Sequence, residues 1–147
     1  MTVLAQASAG TAIAVVAAIP ATYDATGFAA LTFTTVGGVS DISDYGPKTT
    51  VNTFTSLTDR VTQKSTGAIN YGSVTVQAAY LRSDAGQAIL KAALGVNTGI
   101  SCKVTHDDAS VDYFTAIVST NTRHPSGVDA FFMATIGLEI NGPIIEV

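Results

Sequence analysis

Residues 39–80 read VSDISDYGPKTTVNTFTSLTDRVTQKSTGAINYGSVTVQAAY, and the reading of this stretch decides the fold. Its middle carries Thr49, Thr50, Thr53, Thr55, Thr58, Thr62 and Thr66. Branching at Cβ stiffens these side chains and favours extended backbone. A hairpin that belonged to a core would also alternate apolar with polar residues. Here only Val51, Phe54, Leu57 and Val61 are clearly apolar. The pattern predicts a polar hairpin arm over residues 47–67 that buries little on its own domain and pairs with another chain. Its candidate contact residues are Asp44, Tyr45, Val51, Thr53, Phe54, Leu57, Asp59, Arg60 and Lys64. Asp59 and Arg60 fall at the apparent tip, either as an exposed pair worth little or as ion-pair partners across an interface.

Directly after the arm the pattern changes. From Ser73 to Leu81, Val74, Val76, Ala78 and Tyr80 alternate with Ser73, Thr75 and Gln77, the signature of a half-buried strand. Asp84 to Leu94 predicts the one helix. Asp84 stands as N-cap, with Gln87 at the reciprocal position of a capping box. Ile89, Leu90, Ala93 and Leu94 form one apolar face, and Gly95 stops the helix. A helix of about ten residues is marginal alone and needs a sheet to pack on. Three more strands are expected at Ile100 to Thr105, Asp112 to Asn121 and Asp129 to Ile140. Between them lie the loops His106–Ser110 and Arg123–Gly127.

Upstream, Ala12 to Ile19 predicts a strand with Ile13, Val15, Ala17 and Ile19 on one face. Pro20 to Gly27 is turn-rich, Ala29 to Val36 reads as a second strand, Gly37-Gly38 breaks it, and Asp41 to Pro47 is turn-prone. Residues 1–11 form an N-terminal arm, and residues 141–147 an apolar C-terminal tail that docks on the domain or on a neighbour. The sum is a mainly β chain: a single domain over residues 1–147, a β-sandwich or open barrel of antiparallel strands with one flanking α-helix and a long polar hairpin arm.

Composition narrows the function classes. A chain of 147 residues needs no metal or disulfide staple to hold a core. Charged residues make up 12%, about half the usual share, which suits a surface largely covered by copies of the same chain. The net charge is −4 and the seven basic residues are scattered, which argues against tight nucleic-acid binding. The single cysteine, Cys102, excludes an internal disulfide and falls on an apolar face, in keeping with a reducing cytoplasm. The apolar run at Ala12–Ile19 is too short to span a membrane and lacks the basic residues that precede a secretory signal.

Catalytic chemistry finds no foothold. His106, Asp107 and Asp108 are adjacent and so point in different directions, as suits a solvated turn. His124 precedes a proline in another turn. No nucleophile elbow, phosphate loop or paired-cysteine spacing occurs. No cofactor or metal site is expected, and no enzyme.

Taken together, several segments resemble the tail tube proteins (major tail proteins) of long-tailed, non-contractile bacteriophages and their prophages. The segments are Pro20–Phe28 (PATYDATGF), Val36–Gly46 (VGGVSDISDYG), Thr53–Arg60 (TFTSLTDR), Asp84–Gln87 (DAGQ) and Leu138–Asn141 (LEIN). Their order and spacing carry the likeness. Gly38 departs from it where an acidic residue is expected, and Thr62–Gly67 is less basic than in similar chains. The resemblance implies six-membered rings of this chain, stacked through the arm and the two termini into a hollow tube in the virion tail. It also implies partners: a tape-measure protein, tail tip and tail terminator proteins, and DNA passing transiently through the lumen. Synthesis and assembly would take place in the host cytoplasm. The tube of a contractile tail or secretion-type device is an alternative. A carbohydrate-binding or adhesive β-sandwich is another, although the chain has no Trp and five Tyr to build an aromatic binding face.

Overall fold

The computed structural model describes residues 5–147. Ten strands and two helices follow in the order β1 (Ala12–Val16), α1 (Ala25–Ala29), β2 (Thr34–Thr35), β3 (Val39–Ile42), β4 (Lys48–Thr55), β5 (Thr62–Asn70), β6 (Ser73–Ala79), α2 (Ala85–Ala92), β7 (Ile100–Thr105), β8 (Val111–His124), β9 (Met133–Ile140) and β10 (Ile145–Glu146). Antiparallel pairing gives one sheet ordered β2-β1-β7-β8-β9-β6-β3, while β4 and β5 pair only with each other. The two outermost strands of the large sheet, β2 and β3, are joined by Val36, Gly37 and Gly38 alone. So short a link brings the sheet's ends together and curls it into an open barrel. Gly38 sits at φ +73°, where an L side chain is strained, which accounts for glycine at this bend.

The inner face follows from period-2 alternation. Ile13 and Val15 of β1, Val74 and Val76 of β6, Cys102 and Val104 of β7, Phe114 and Val118 of β8, and Ile136 and Leu138 of β9 form one buried cluster. Helix α2 closes its open side with Leu90 and with its C-cap residue, Ala93. The Asp84 carboxylate accepts from the Gln87 backbone N–H at 2.9 Å, as an N-cap should. The reciprocal bond of a capping box is not made. The Gln87 side chain, buried, accepts from Leu81 N–H and donates to the carbonyls of Gly37 and Ala79. It thereby ties the helix to both the β2–β3 link and the end of β6.

Several sequence expectations are corrected. The segment expected as a strand over Ala29–Val36 contributes only Thr34–Thr35, and a second helix, α1, lies within the turn-rich stretch before it. Asp24 caps α1 by accepting from Gly27 N–H at 2.7 Å. Phe28 then stacks on Tyr113 at 5.3 Å, so α1 covers the outer face of β8. Val39–Ile42, which overlaps the region expected as turn-prone from Asp41, is a strand whose register shifts between Val39 and Asp41. That bulge erases the alternation by which a strand is read. The first strand ends at Val16, leaving Ala17 and Ile19 exposed. The last long strand starts at Met133, not Asp129.

Strand β8 is the longest at 14 residues and organises the rest. Val111–Ala116 pairs with β7 on one edge. On the other edge lie β10, opposite Asp112 and Tyr113, and then β9, opposite Ala116 to His124. The apolar tail therefore docks on its own domain.

Candidate assembly surfaces

The arm is what composition requires of it. Every residue of β4 and β5 is exposed. The return strand runs to Asn70, three residues beyond the expected end at Gly67. Phe54 is 67% exposed and Leu57, in the tip, 99%. Strands of eight or nine residues reach about 25–30 Å, so the tip stands well clear of the barrel. Internal order comes from its backbone ladder, a Thr55–Thr62 hydroxyl bond of 2.9 Å and a tight tip in which Arg60 takes φ +56°. At its base the chain must pass close: a Cβ at Gly72 would lie 2.9 Å from the Gly46 carbonyl.

A second surface is the outer face of β3, β6, β9 and the far half of β8. Register places Ser73, Thr75 and Gln77 of β6 beside Glu139, Gly137 and Thr135 of β9, with Asp41 of β3 and Thr120 and Thr122 of β8 on either side. This face is small and polar, carries two carboxylates, and among these positions holds no Lys or Arg. Both of its side edges are open among the described residues: β3 has β6 as its one partner, and β7 leaves β8 after Ala116, so Ser119–His124 has no strand beyond it. An unpaired edge of that length is a template for another chain.

The β8–β9 loop adds an apolar tip, with Val128 fully exposed and Phe131 82% exposed. Beneath it, between α2 and the inward face of β8 and β9, lies a groove of about 620 Å³. Arg82, Lys91 and Arg123 line it, over a floor that includes Tyr80, Ala88 and Ala92. The Arg123 guanidinium lies 4.8 Å from the Tyr80 ring centre, and Phe132 stacks on that ring at 4.9 Å. The opposite end of β8 is acidic. Asp112 accepts from the Tyr45 hydroxyl at 2.5 Å and contacts His106 Nε2 at 2.9 Å. Burial, the bond to Asp112 and the charges of Asp112 and Glu146 push the Tyr45 phenol well above its ordinary value. In the neighbouring turn, the side chain and backbone of Ser110, then Gln6 and His106, hold the Asp108 carboxyl below the usual range. Burial alone pushes the Cys102 thiol up, and it faces the core.

The candidate contact residues therefore divide. Val51, Thr53, Phe54, Leu57, Asp59, Arg60 and Lys64 share the exposed arm. Asp44 is exposed at its foot, whereas Tyr45 is half-buried against Phe114 on its own domain. Asp59 and Arg60 make no ion pair among the described residues. The N-terminal arm lies partly outside the described residues; within them, Gln6 Nε2 donates to Asp108 at 3.0 Å. The sequence pattern does not reveal the groove, whose cations come from three separate segments, or the exposed Val128 and Phe131, which fall beside and within the strand expected over Asp129 to Ile140. Among the described residues no group of three His, Cys, Asp or Glu is gathered to hold a metal, and no helix is long and apolar enough to cross a membrane.

No family model matches the chain, and no curated protein matches it by sequence. Solved structures do match. A chain from the tail of an empty gene transfer agent particle, refined with C6 helical symmetry, is 12% identical with a TM-score of 0.69, covering 97% of this chain and 99% of that one. A chain of the six-fold symmetrised baseplate of the anti-feeding prophage is 9% identical with a TM-score of 0.69, covering 100% and 97%. The SPP1 tail tube is 14% identical with a TM-score of 0.63, covering 92% of this chain and 75% of that one. At this level of identity the likeness concerns the fold, and it extends over nearly the whole chain: the protein has the phage tail tube fold.

Proposed function

We propose that this chain is the structural subunit of a tail tube, closing into six-membered rings that stack into a hollow conduit. The observation that carries the reading is the arm: a 23-residue excursion, Lys48 to Asn70, with ordered pairing and no exposed-face partner on its own domain. Ordering a chain costs about 1–2 kcal/mol per residue, and a two-stranded ribbon alone scarcely offsets that. A neighbouring copy would supply the missing burial. The open edges of β3 and of Ser119–His124 favour the same reading. They flank one four-stranded sheet, so copies joined edge to edge would form a continuous inner wall and leave no free edge. Asp41 and Glu139 would then face the lumen, where negative charge repels phosphate and lets DNA slide.

On this reading the partners are further copies of the chain, a tape-measure protein, tail tip and terminator proteins, and DNA in transit; the place of action is the virion tail, after assembly in the host cytoplasm. Negative-stain electron microscopy with light scattering on the purified chain tests it. Hollow tubes or stacked six-fold rings are expected, alone or once tip complex and tape-measure protein are added. Monomers under both conditions would overturn the reading. Reversing Asp41 and Glu139 to Lys should slow DNA delivery without stopping tube formation.

A second reading is the tube of a contractile tail or secretion-type device, with which the shared fold of the anti-feeding prophage baseplate chain is equally compatible. Binding of a sheath protein to assembled tubes would favour it. An adhesive module fits less well, since the open outer face carries no aromatic side chain at the positions named above.

A further inference from the structure

The chain is acidic overall, yet three of its seven Lys and Arg residues converge on one groove. Arg82 follows β6, Lys91 is in the last turn of α2, and Arg123 closes β8. None is ion-paired among the described residues, where the one ion pair is His106–Asp112. Holding like charges together without a counter-charge is unfavourable, and two guanidiniums near the Tyr80 ring recover part of that cost. Such a groove is complete when an acidic group enters it.

The other end of β8 presents that group. The turn His106–Ser110 carries Asp107 and Asp108, both exposed, with Asp112 and Glu146 paired beside them. The turn is tight, with Ala109 at φ +70° and His106 N–H bonded to the Ser110 carbonyl at 2.9 Å. Its side chains are small enough to enter the groove. Ser110 donates to the Asp108 carboxylate twice, from its backbone N–H and its hydroxyl, which favours the charged form. The arm is the poorer occupant: Lys48, Arg60 and Lys64 against Asp59 leave it basic.

We propose that the groove between α2 and β8 receives the His106–Ser110 turn of a second copy, with Arg82, Lys91 and Arg123 pairing with its Asp107 and Asp108. This rests on the self-assembly reading and deepens it. Because groove and turn lie at opposite ends of one strand, the contact is head-to-tail and each copy both gives and receives. Its strength comes from charge complementarity, so it should weaken roughly 10-fold or more as salt rises from about 0.05 to 0.5 M.

The test uses two half-blocked chains. One carries Lys91→Glu and Arg123→Glu and keeps its turn. The other carries Asp107→Lys and Asp108→Lys and keeps its groove. All four positions are on the surface, and circular dichroism with thermal melts checks that each variant folds. In sedimentation velocity at millimolar concentration, the unaltered chain should form long assemblies. Each variant alone should associate roughly 10- to 100-fold more weakly. Their mixture should recover both contacts, the native one and its charge-swapped counterpart, and give alternating assemblies, and a chain with all four changes should assemble again. Variants that assemble like the unaltered chain would overturn the groove contact and leave the tube reading standing. An unaltered chain that never assembles, even with tip complex present, would overturn both.

Discussion

Two antiparallel strand pairs in this molecule have nearly the same length and opposite fates. β6 and β9 pair over seven positions, from Ser73–Glu139 to Ala79–Met133, and bury alternate side chains. β4 and β5 pair over a similar length and bury none. The ladders are alike, so hydrogen bonding does not separate them. What differs is the layer beneath: Val74, Val76, Ile136 and Leu138 lie on a core, whereas Val51 and Phe54 lie on solvent. A ladder specifies shape, and burial supplies most of the stability that keeps it.

The comparison breaks most sharply if core and arm respond alike to truncation. Phe114→Ala in the body should cost about 3–5 kcal/mol and lower the melting midpoint by roughly 10–15 °C, as measured by denaturant and thermal unfolding. Comparable stability in that variant would mean the barrel is not where the stability resides. Gln87→Leu should cost about 2–3 kcal/mol, because it strands Leu81 N–H and the carbonyls of Gly37 and Ala79. Tyr45→Phe should cost about 1 kcal/mol in neutral denaturation curves through its lost bond to Asp112. The same residue sets an alkaline limit. Its folded phenol titrates above the unfolded one, so it contributes stability fully below about pH 10, and that contribution fades as pH rises further. The Phe variant should lose that part of the pH dependence. At the small end, Phe54→Ala should change monomer stability by less than about 0.5 kcal/mol while weakening assembly. Hydrogen exchange sharpens the same contrast: β4 and β5 should exchange fast in the free chain and become protected in assemblies, with β7 and β8 protected in both.

The parts legible in the sequence were those whose environment is local. β6 shows its buried face in strict alternation, α2 announces its cap at Asp84, and the arm declares itself by threonines without apolar partners. Tertiary context hid the rest. α1 has five residues and includes Gly27, where a Cβ would sit 1.9 Å from the Thr22 carbonyl; the glycine serves packing and masks the helix. The bulge in β3 scrambles its period. Phe131 and Phe132 suggest a strand, but the β8–β9 ladder ends at the His124–Met133 pair, so β9 begins only at Met133. The cationic groove joins residues that share no local pattern at all.

The three-residue link from β2 to β3 also bears on how the chain is born. It places both ends of the sheet in the first third of the sequence. β1 must then wait for β7, its partner through Val15 and Cys102, roughly 90 residues later. At about 5–20 residues per second of synthesis, that edge stays unpaired for several seconds. Pairing at such separation makes folding slow, in the millisecond-to-second range even once the chain is free. The arm, by contrast, needs only its own adjacent strands and emerges before the barrel can close. A newly made subunit thus exposes its sticky arm and an open β1 edge together, which makes a chaperone or a quick encounter with the growing structure the natural guard against premature aggregation.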